Sequence, residues 1–335
     1  MNPTLVPAMP TFQSASAVAS APIAPDLLEV ERILNRTFEG YKGRASDLIE
    51  HLSHYRGKRL RPILLLLTAQ ACGGIRPAHH TLAAVVEMIH TATLVHDDVL
   101  DEADTRRHVR TINDKWGNKG AILLGDLLFT HAFHLSSTVG DARACEIIGD
   151  ATNRVCAGEL MQICERGNMS LNEEEYYQII EGKTAALTEC ACRLGAMYAG
   201  ADAKVIDAMA EYGRSLGIAF QIADDLLDLL GEEKTTGKTL GTDLEQQKLT
   251  LPLIHMLDHV PSERAEELRH ILSNGHADKR SLIRPVLEET RSLGYARRKA
   301  EELATTARTA LQVLPPTPTR AILEQLTEWT TRREG

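Results

Sequence analysis

The chain has 335 residues, of which 43% are hydrophobic and 25% charged, enough apolar content for a sizeable core with a charged, water-facing surface. Its net charge of -9 argues against general electrostatic binding to nucleic acid or to an anionic membrane. Aromatics make up only 4% while Ala and Leu dominate, a balance that favours helices over strands.

Residues 1–25, rich in Ala, Pro and Ser and without Lys or Arg, read as a disordered arm that lacks the positive start of a signal peptide. From residue 26 to 335 the apolar pattern is helical almost throughout, with no strict alternation of half-buried strands. That stretch is expected to form one large all-α bundle. No run of 18 or more apolar residues occurs, so no membrane span is expected. The cysteines show no Cys-x-x-Cys pair and are expected to be reduced thiols of a cytoplasmic protein.

In chain order, Gly57-Lys58-Arg59-Leu60-Arg61-Pro62 puts three cations just before the apolar run 63–71. Pro62 suits the first position of a helix, so Lys58 and Arg61 stand near a helix N-terminus, a favourable place for phosphate. A helix is expected over 79–101, ending in Asp97-Asp98-Val99-Leu100-Asp101, and Arg106, Arg107 and Arg110 follow it. Further helices are expected over 120–138, 143–164, 173–198 and 205–230. Ser170 and Glu173 fit a capping box for the third of these. The last ends in a second acidic run, Asp224-Asp225-Leu226-Leu227-Asp228, followed by Lys234, Lys238 and Lys248. Pro261-Ser262-Glu263-Arg264 opens another helix, and the tail from 276 is helical with one break at 314–318.

The duplicated Asp-Asp-x-x-Asp pattern is the chief chemical signal. On a helix the first and last Asp of each run share a face, while the middle one is offset by about 100°. Like charges so close need neutralising, and Mg²⁺, held by carboxylates together with waters and substrate phosphates, does so. Basic groups beside both runs imply more than one bound anion. Arg offers a planar fork to phosphate oxygens and Lys a point charge.

In combination these motifs resemble those of the trans-isoprenyl diphosphate synthases of the polyprenyl synthetase family, from about residue 30 to the C-terminus. The resemblance implies the isoprenoid-synthase helical bundle with a central active-site cavity. It makes Asp97, Asp98, Asp101, Asp224, Asp225 and Asp228 metal ligands for three Mg²⁺ ions. It makes Lys58, Arg61, His90 and Arg107 the holders of isopentenyl diphosphate. Arg106, Lys183, Thr184, Gln221, Lys238 and Lys248 fall at the allylic diphosphate, with Lys183 neutralising the leaving group. His96, Phe220 and Asp126 have no settled part; His96 either orients a carboxylate or packs. A homodimer is implied as well.

Short-chain relatives resemble one another in carrying bulky aromatics four or five positions before the first motif. This chain has Thr93 and Ala92 there, with Met88, Ile89 and Val85 deeper on nearly the same side, so a long all-trans product is expected. Two departures stand out: His108-Val109-Arg110 replaces the usual Gly-Pro turn, and Gln247 stands where Gly precedes the lysine. The competing readings are a medium-chain synthase, a class I terpene cyclase, a noncatalytic subunit of a heteromeric synthase and a calcium-binding helical scaffold. The cyclase would not need Lys58 and Arg61, the subunit should have lost one triad, and the scaffold leaves the basic segments unexplained.

Overall fold

A computed structural model describes residues 17–39, 41, 44–55, 57–106, 109–230, 241–274 and 279–331. Arg107, His108, Lys234 and Lys238, named above, lie outside the described residues, as does most of the expected arm. Where that arm is described, residues 17–25 are helical rather than disordered, because Ala19 and Ile23 are fully buried in the core. They lead into α1 (Ala24–Thr37) and α2 (Arg44–His51), and a 3-10 turn, Leu52–Tyr55, follows.

α3 (Leu60–Cys72) is apolar on every side, and Pro62 through Ala69 are all buried. Such a helix is stable only when surrounded by others, and each fully buried Leu contributes about 1.5–3 kcal/mol. α4 (Pro77–Leu100) is also central, with Leu82 through Ile89 buried. Pro77 starts it, and His79 Nδ1 accepts from the Arg76 amide at 2.8 Å. The Arg76 guanidinium donates to Ala199 O at 2.8 Å, where a cation meets the negative end of a neighbouring helix.

After α4 the chain makes a two-residue antiparallel ladder, Thr105–Arg106 with Val109–Arg110, a local exception to the helical pattern. α5 (Ile112–Ser137) is capped by Thr111 and begins earlier than expected. Only Gly117, at φ 77°, breaks the helical path there. α6 spans Ala142–Cys164.

The helix expected over 173–198 is three pieces on one path: α7 (Glu173–Ile180), a π-turn (Glu181–Ala185) and α8 (Ala186–Ala199). Asn172, not Ser170, caps it. Its side chain accepts from the Glu175 amide at 3.0 Å, and Glu175 accepts from the Asn172 amide at 2.9 Å. The same box chemistry operates two residues later than the sequence suggested.

α9 (Ala203–Leu230) runs through two apolar clusters. Met209, Tyr212 and Leu216 belong to the cluster that holds α3 and α4, while Ile218, Ile222, Leu226 and Leu229 belong to a second. The second cluster is completed by α10 (Thr242–Glu245), α11 (Leu251–Asp258), α12 (Ser262–Ser273), α13 (Lys279–Glu289) and α14 (Ser292–Ala310). The tail has a second break besides the expected one, at Arg291 with φ 55°, before α14. α15 (Pro318–Thr331) closes the fold, and Tyr212 Oη donates to Leu323 O at 2.9 Å. Among the described residues no helix is long and apolar enough to cross a membrane.

Candidate active site

The two acidic runs end α4 and α9, and the residues between them come from α6, the π-turn and α10. Gly158 on α6 and Gly182 in the π-turn let two backbones touch. A Cβ at Gly158 would lie 2.4 Å from Lys183 N, and one at Gly182 would lie 2.8 Å from Arg154 O. That contact puts Glu159 beside Lys183. Lys183 Nζ lies 2.5 Å from Glu159 Oε2, and Asp97, Glu159 and Asp101 all raise the Lys183 pKa against the cost of burial. Lys183 also acts on Asp243 of α10. The lysine thus stands between the first motif and α10. A π-turn here places the Lys183 side chain off the ordinary helical register, a frequent device at functional sites.

Each motif is split. Asp97 is half-buried, and burial pushes its pKa up to about 6, with Lys183 and Arg106 opposing and Glu159 reinforcing the shift. Asp101 pairs with Arg166 and has Lys248 Nζ at 3.9 Å. The middle residue, Asp98, is 1% exposed and faces the wall. Its Oδ2 accepts from Tyr55 Oη at 2.6 Å, and its Oδ1 accepts from Arg106 Nε at 2.8 Å.

In the second motif Asp224 is half-buried, whereas Asp225 is walled in. Its Oδ2 accepts from Tyr176 Oη at 2.6 Å and its Oδ1 from Gln221 Nε2 at 2.8 Å. Burial and the nearby Asp243 push its pKa up to about 8, partly offset by those two hydrogen bonds. Asp228 accepts from the amides of Gly241, Thr242 and Asp243 and from Thr242 Oγ1, at 3.0–3.3 Å. A carboxylate at a helix start is well placed, and it anchors α10. Asp98, Asp225 and Asp228 thus have their oxygens turned to protein donors.

Several other predicted residues gather here. Thr184 Oγ1 donates to Gln221 Oε1 at 2.7 Å, joining the π-turn to Asp225. Lys248 lies 3.9 Å from both Asp101 and Asp243, so it bridges the two halves. Gln247 adopts φ 56°, the left-handed region in which Gly costs least. Its Nε2 donates to Ser273 O at 2.5 Å, and its carbonyl accepts from the Gly167 amide at 3.1 Å.

The basic segment divides as the motifs do. Arg59 donates to Glu31 Oε1 at 2.7 Å and to Glu87 Oε1 at 2.6 Å, so it holds α1 against α4. Lys58 is exposed, and His90 is half-buried on α4. Arg61 has a buried Nε without a hydrogen-bond partner among the described residues, and burial lowers its pKa despite the nearby Glu87. A buried guanidinium nitrogen with no acceptor is unfavourable, and an anionic oxygen would complete it.

His96 lies against α5. Its Nε2 meets Ile122 O at 3.1 Å and lies over Gly125, where a Cβ would come within 2.1 Å of it. Asp126 stands 3.6 Å from the same nitrogen, away from the triad, and is 58% exposed. Phe220 is half-buried on α9. Glu159, Asp243, Arg166, Tyr55 and Tyr176 were not foreseen. Only Asp243, an acid among the lysines after the second motif, had a signal in the sequence; the others arrive from separate elements.

Among the described residues no three His, Cys, Asp or Glu side chains form a ready cage for an ion. The donors are carboxylates at two helix ends and on α10, with Lys183 and Lys248 lying between Asp101 and Asp243. That set suits a hard cation completed by substrate phosphates and water. A cavity of about 410 Å³ lies beside α4 instead, lined by Leu34, Phe38, Ile49, Met88 and Leu128 among others. No motif aspartate lines it.

An all-helical bundle with acidic runs at two helix ends and a half-buried lysine beside the first has the isoprenoid-synthase class of fold. Residues 43–289 match the polyprenyl synthetase family model. The octaprenyl diphosphate synthase of Escherichia coli is 40% identical over 295 residues, covering 86% of this chain and 91% of that protein. A decaprenyl diphosphate synthase from Rhodobacter capsulatus superposes with a TM-score of 0.89 at 34% identity, covering 95% of this chain and 100% of that one. A polyprenyl synthase from Caulobacter crescentus CB15, complexed with calcium and isoprenyl diphosphate, gives a TM-score of 0.89 at 31% identity, covering 98% and 100%. The chain belongs to the polyprenyl synthetase family and is a prenyltransferase of the polyprenyl diphosphate synthase type.

Proposed function

We infer that this chain joins isopentenyl diphosphate head-to-tail to an allylic diphosphate, with Mg²⁺, and repeats the step to build a long all-trans polyprenyl diphosphate. The observation that carries the reading is the place of Lys183, 2.5 Å from Glu159 and acting on Asp97 and Asp101 of the first motif and on Asp243 of α10. A second, separate cation, Arg61, has an unpartnered Nε at the start of α3. Two cationic centres, one beside the motif aspartates and one at the start of α3 apart from them, suit two diphosphates of different fate.

In this reading Asp97 and Asp101 on one side and Asp224 on the other hold Mg²⁺, supported by Asp98, Asp225 and Asp228. When bound, Mg²⁺ neutralises charge that develops on the departing pyrophosphate. Lys183, with Arg106, Lys238 and Lys248 nearby in the assignment, faces the allylic diphosphate and stabilises that same charge. Thr184 and Gln221 tie the lysine's turn to the second motif. Lys58, Arg61, His90 and Arg107 hold isopentenyl diphosphate so that its double bond meets the allylic carbon. A C–C bond then forms as the C–O bond breaks, and the proton lost from the new chain goes to the departing pyrophosphate.

The long product rests on Ala92, fully buried five residues before Asp97, and on the apolar Ile89 and Val85 beneath it. A homodimer is supported by exposed apolar side chains on adjoining helices, Ile122 and Leu123 on α5 and Leu160 on α6. Free cysteines, two of them buried, suit the cytoplasm. Purified protein given Mg²⁺, labelled isopentenyl diphosphate and farnesyl diphosphate should yield a ladder of extended products. Absence of elongation by this chain alone would overturn the reading.

A further inference from the structure

The middle aspartates of the two motifs are gripped by the same device. Tyr55 Oη donates to Asp98 Oδ2 at 2.6 Å while Arg106 Nε takes Oδ1 at 2.8 Å. Tyr176 Oη donates to Asp225 Oδ2 at 2.6 Å while Gln221 Nε2 takes Oδ1 at 2.8 Å. All four partners in the two phenol–carboxylate pairs are buried: Tyr55 is 4% exposed, Asp98 1%, Tyr176 3% and Asp225 6%. The phenols belong to unrelated elements, the 3-10 turn before α3 and the short helix α7. Their agreement in atom and distance is therefore not a product of local sequence.

A buried carboxylate with both oxygens engaged cannot turn without leaving an acceptor unmade. Because the middle residue is about 100° from the first and last around the helix, fixing it in the wall fixes which way they point. Each lock also reaches further. Tyr55 Oη accepts from the Ile112 amide at 3.1 Å, which joins it to the start of α5. The Tyr176 lock continues through Gln221 to Thr184, the residue after Lys183.

We propose that Tyr55 and Tyr176 are positioning residues, each locking the middle aspartate of one motif into the wall so that its neighbours are aimed at the metal–diphosphate. This rests on the metal–diphosphate reading above. Neither tyrosine touches substrate; each acts through the helix end it holds.

The test uses Mn²⁺ as the probe, titrated by electron paramagnetic resonance in the presence of inorganic pyrophosphate, on wild type, Tyr55→Phe and Tyr176→Phe. Mn²⁺ affinity is expected to fall about tenfold in each variant, the scale of one lost hydrogen bond to a charged group. The Mg²⁺ concentration for half-maximal activity should rise in parallel, changing more than kcat at saturating Mg²⁺. Binding isotherms that superpose on wild type, with only a lower melting temperature, would overturn the proposal in favour of a purely structural role. So would failure of both variants to fold; if one alone fails, the other decides, because the two locks lie in different parts of the fold. Wild type that binds no Mn²⁺ with pyrophosphate would overturn the functional reading instead.

Discussion

Lys183 Nζ sits 2.5 Å from Glu159 Oε2, so the lysine beside Asp97 and Asp101 of the first motif is held by a carboxylate belonging to neither motif. Replacing Lys183 by Ala leaves Asp97, Glu159 and Asp243 without their shared cation. The expected result is a fall in kcat of about 10²–10³, the scale of losing one preorganised charge stabiliser. The KM for isopentenyl diphosphate should move little, because the Arg61 centre is untouched. Steady-state kinetics on both substrates separate the two effects, and a variant altered mainly in that KM contradicts the assignment.

The backbone contact beneath this pair is sensitive to one methyl group. A Cβ on Gly158 would fall 2.4 Å from Lys183 N, so Gly158→Ala must push α6 and the π-turn apart. Overpacking of this sort costs about 1–3 kcal/mol and displaces both Glu159 and Lys183. Thermal melts and kcat should fall together; retention of full activity in a stable variant would show that the close approach is dispensable.

Burial raises the pKa values of Asp97 and Asp243 to about 6 and of Asp225 to about 8, against 3.8 ordinarily. In the metal-free fold these groups bind protons more tightly than they do in the unfolded chain. Their contribution to stability is therefore full below about pH 4 and is lost as pH rises through 6 to 8. Protein stripped with EDTA should lose stability on the order of a few kcal/mol over that range. Mg²⁺ with pyrophosphate should reverse the loss and release protons on binding, measurable by calorimetry in buffers of different ionisation enthalpy. A metal-free protein that gains stability between pH 5 and 8 would contradict this.

Ala92 is fully buried and lies about 7–8 Å along the helix axis below Asp97. Ala92→Phe should fill the path of the growing chain and shift products toward short lengths, with the rate of the first condensation little changed. Reversed-phase separation of labelled products reads this directly, and an unchanged length distribution sinks the idea.

Asp228 anchors α10 through its four donors, and α10 carries Asp243. Asp228→Ala should destabilise the fold by about 1–2 kcal/mol, as loss of a helix cap does. It should also free the segment that sets Lys248 near Asp101. Denaturant unfolding measures the first effect, and a stability equal to wild type would refute the anchoring role.

The sequence by itself determined the helical class, the apolar α3 and α4, and the two acidic helix ends, because helical periodicity and Asp-Asp-x-x-Asp spacing are local properties. It also marked Lys58 and Arg61, since Pro62 places a helix start beside them. The cap at Asn172 was misplaced by two residues, because Ser170 and Asn172 offer nearly the same chemistry and only the local backbone chooses. The burial of Ala19 and Ile23 was illegible too, since low complexity conceals a segment that finds a hydrophobic wall.

What tertiary structure alone decided is the division of labour among like residues. Asp97 and Asp98 are neighbours of one type, yet one meets Lys183 across the site and the other meets Tyr55 in the wall. Arg59 is consumed by Glu31 and Glu87, while Arg61 keeps a nitrogen without a partner. These outcomes depend on side chains brought from distant elements, above all Glu159 through the Gly158–Gly182 contact and the tyrosines through separate turns. A carboxylate's part is set by which donors reach it in space, and no spacing along the chain records that.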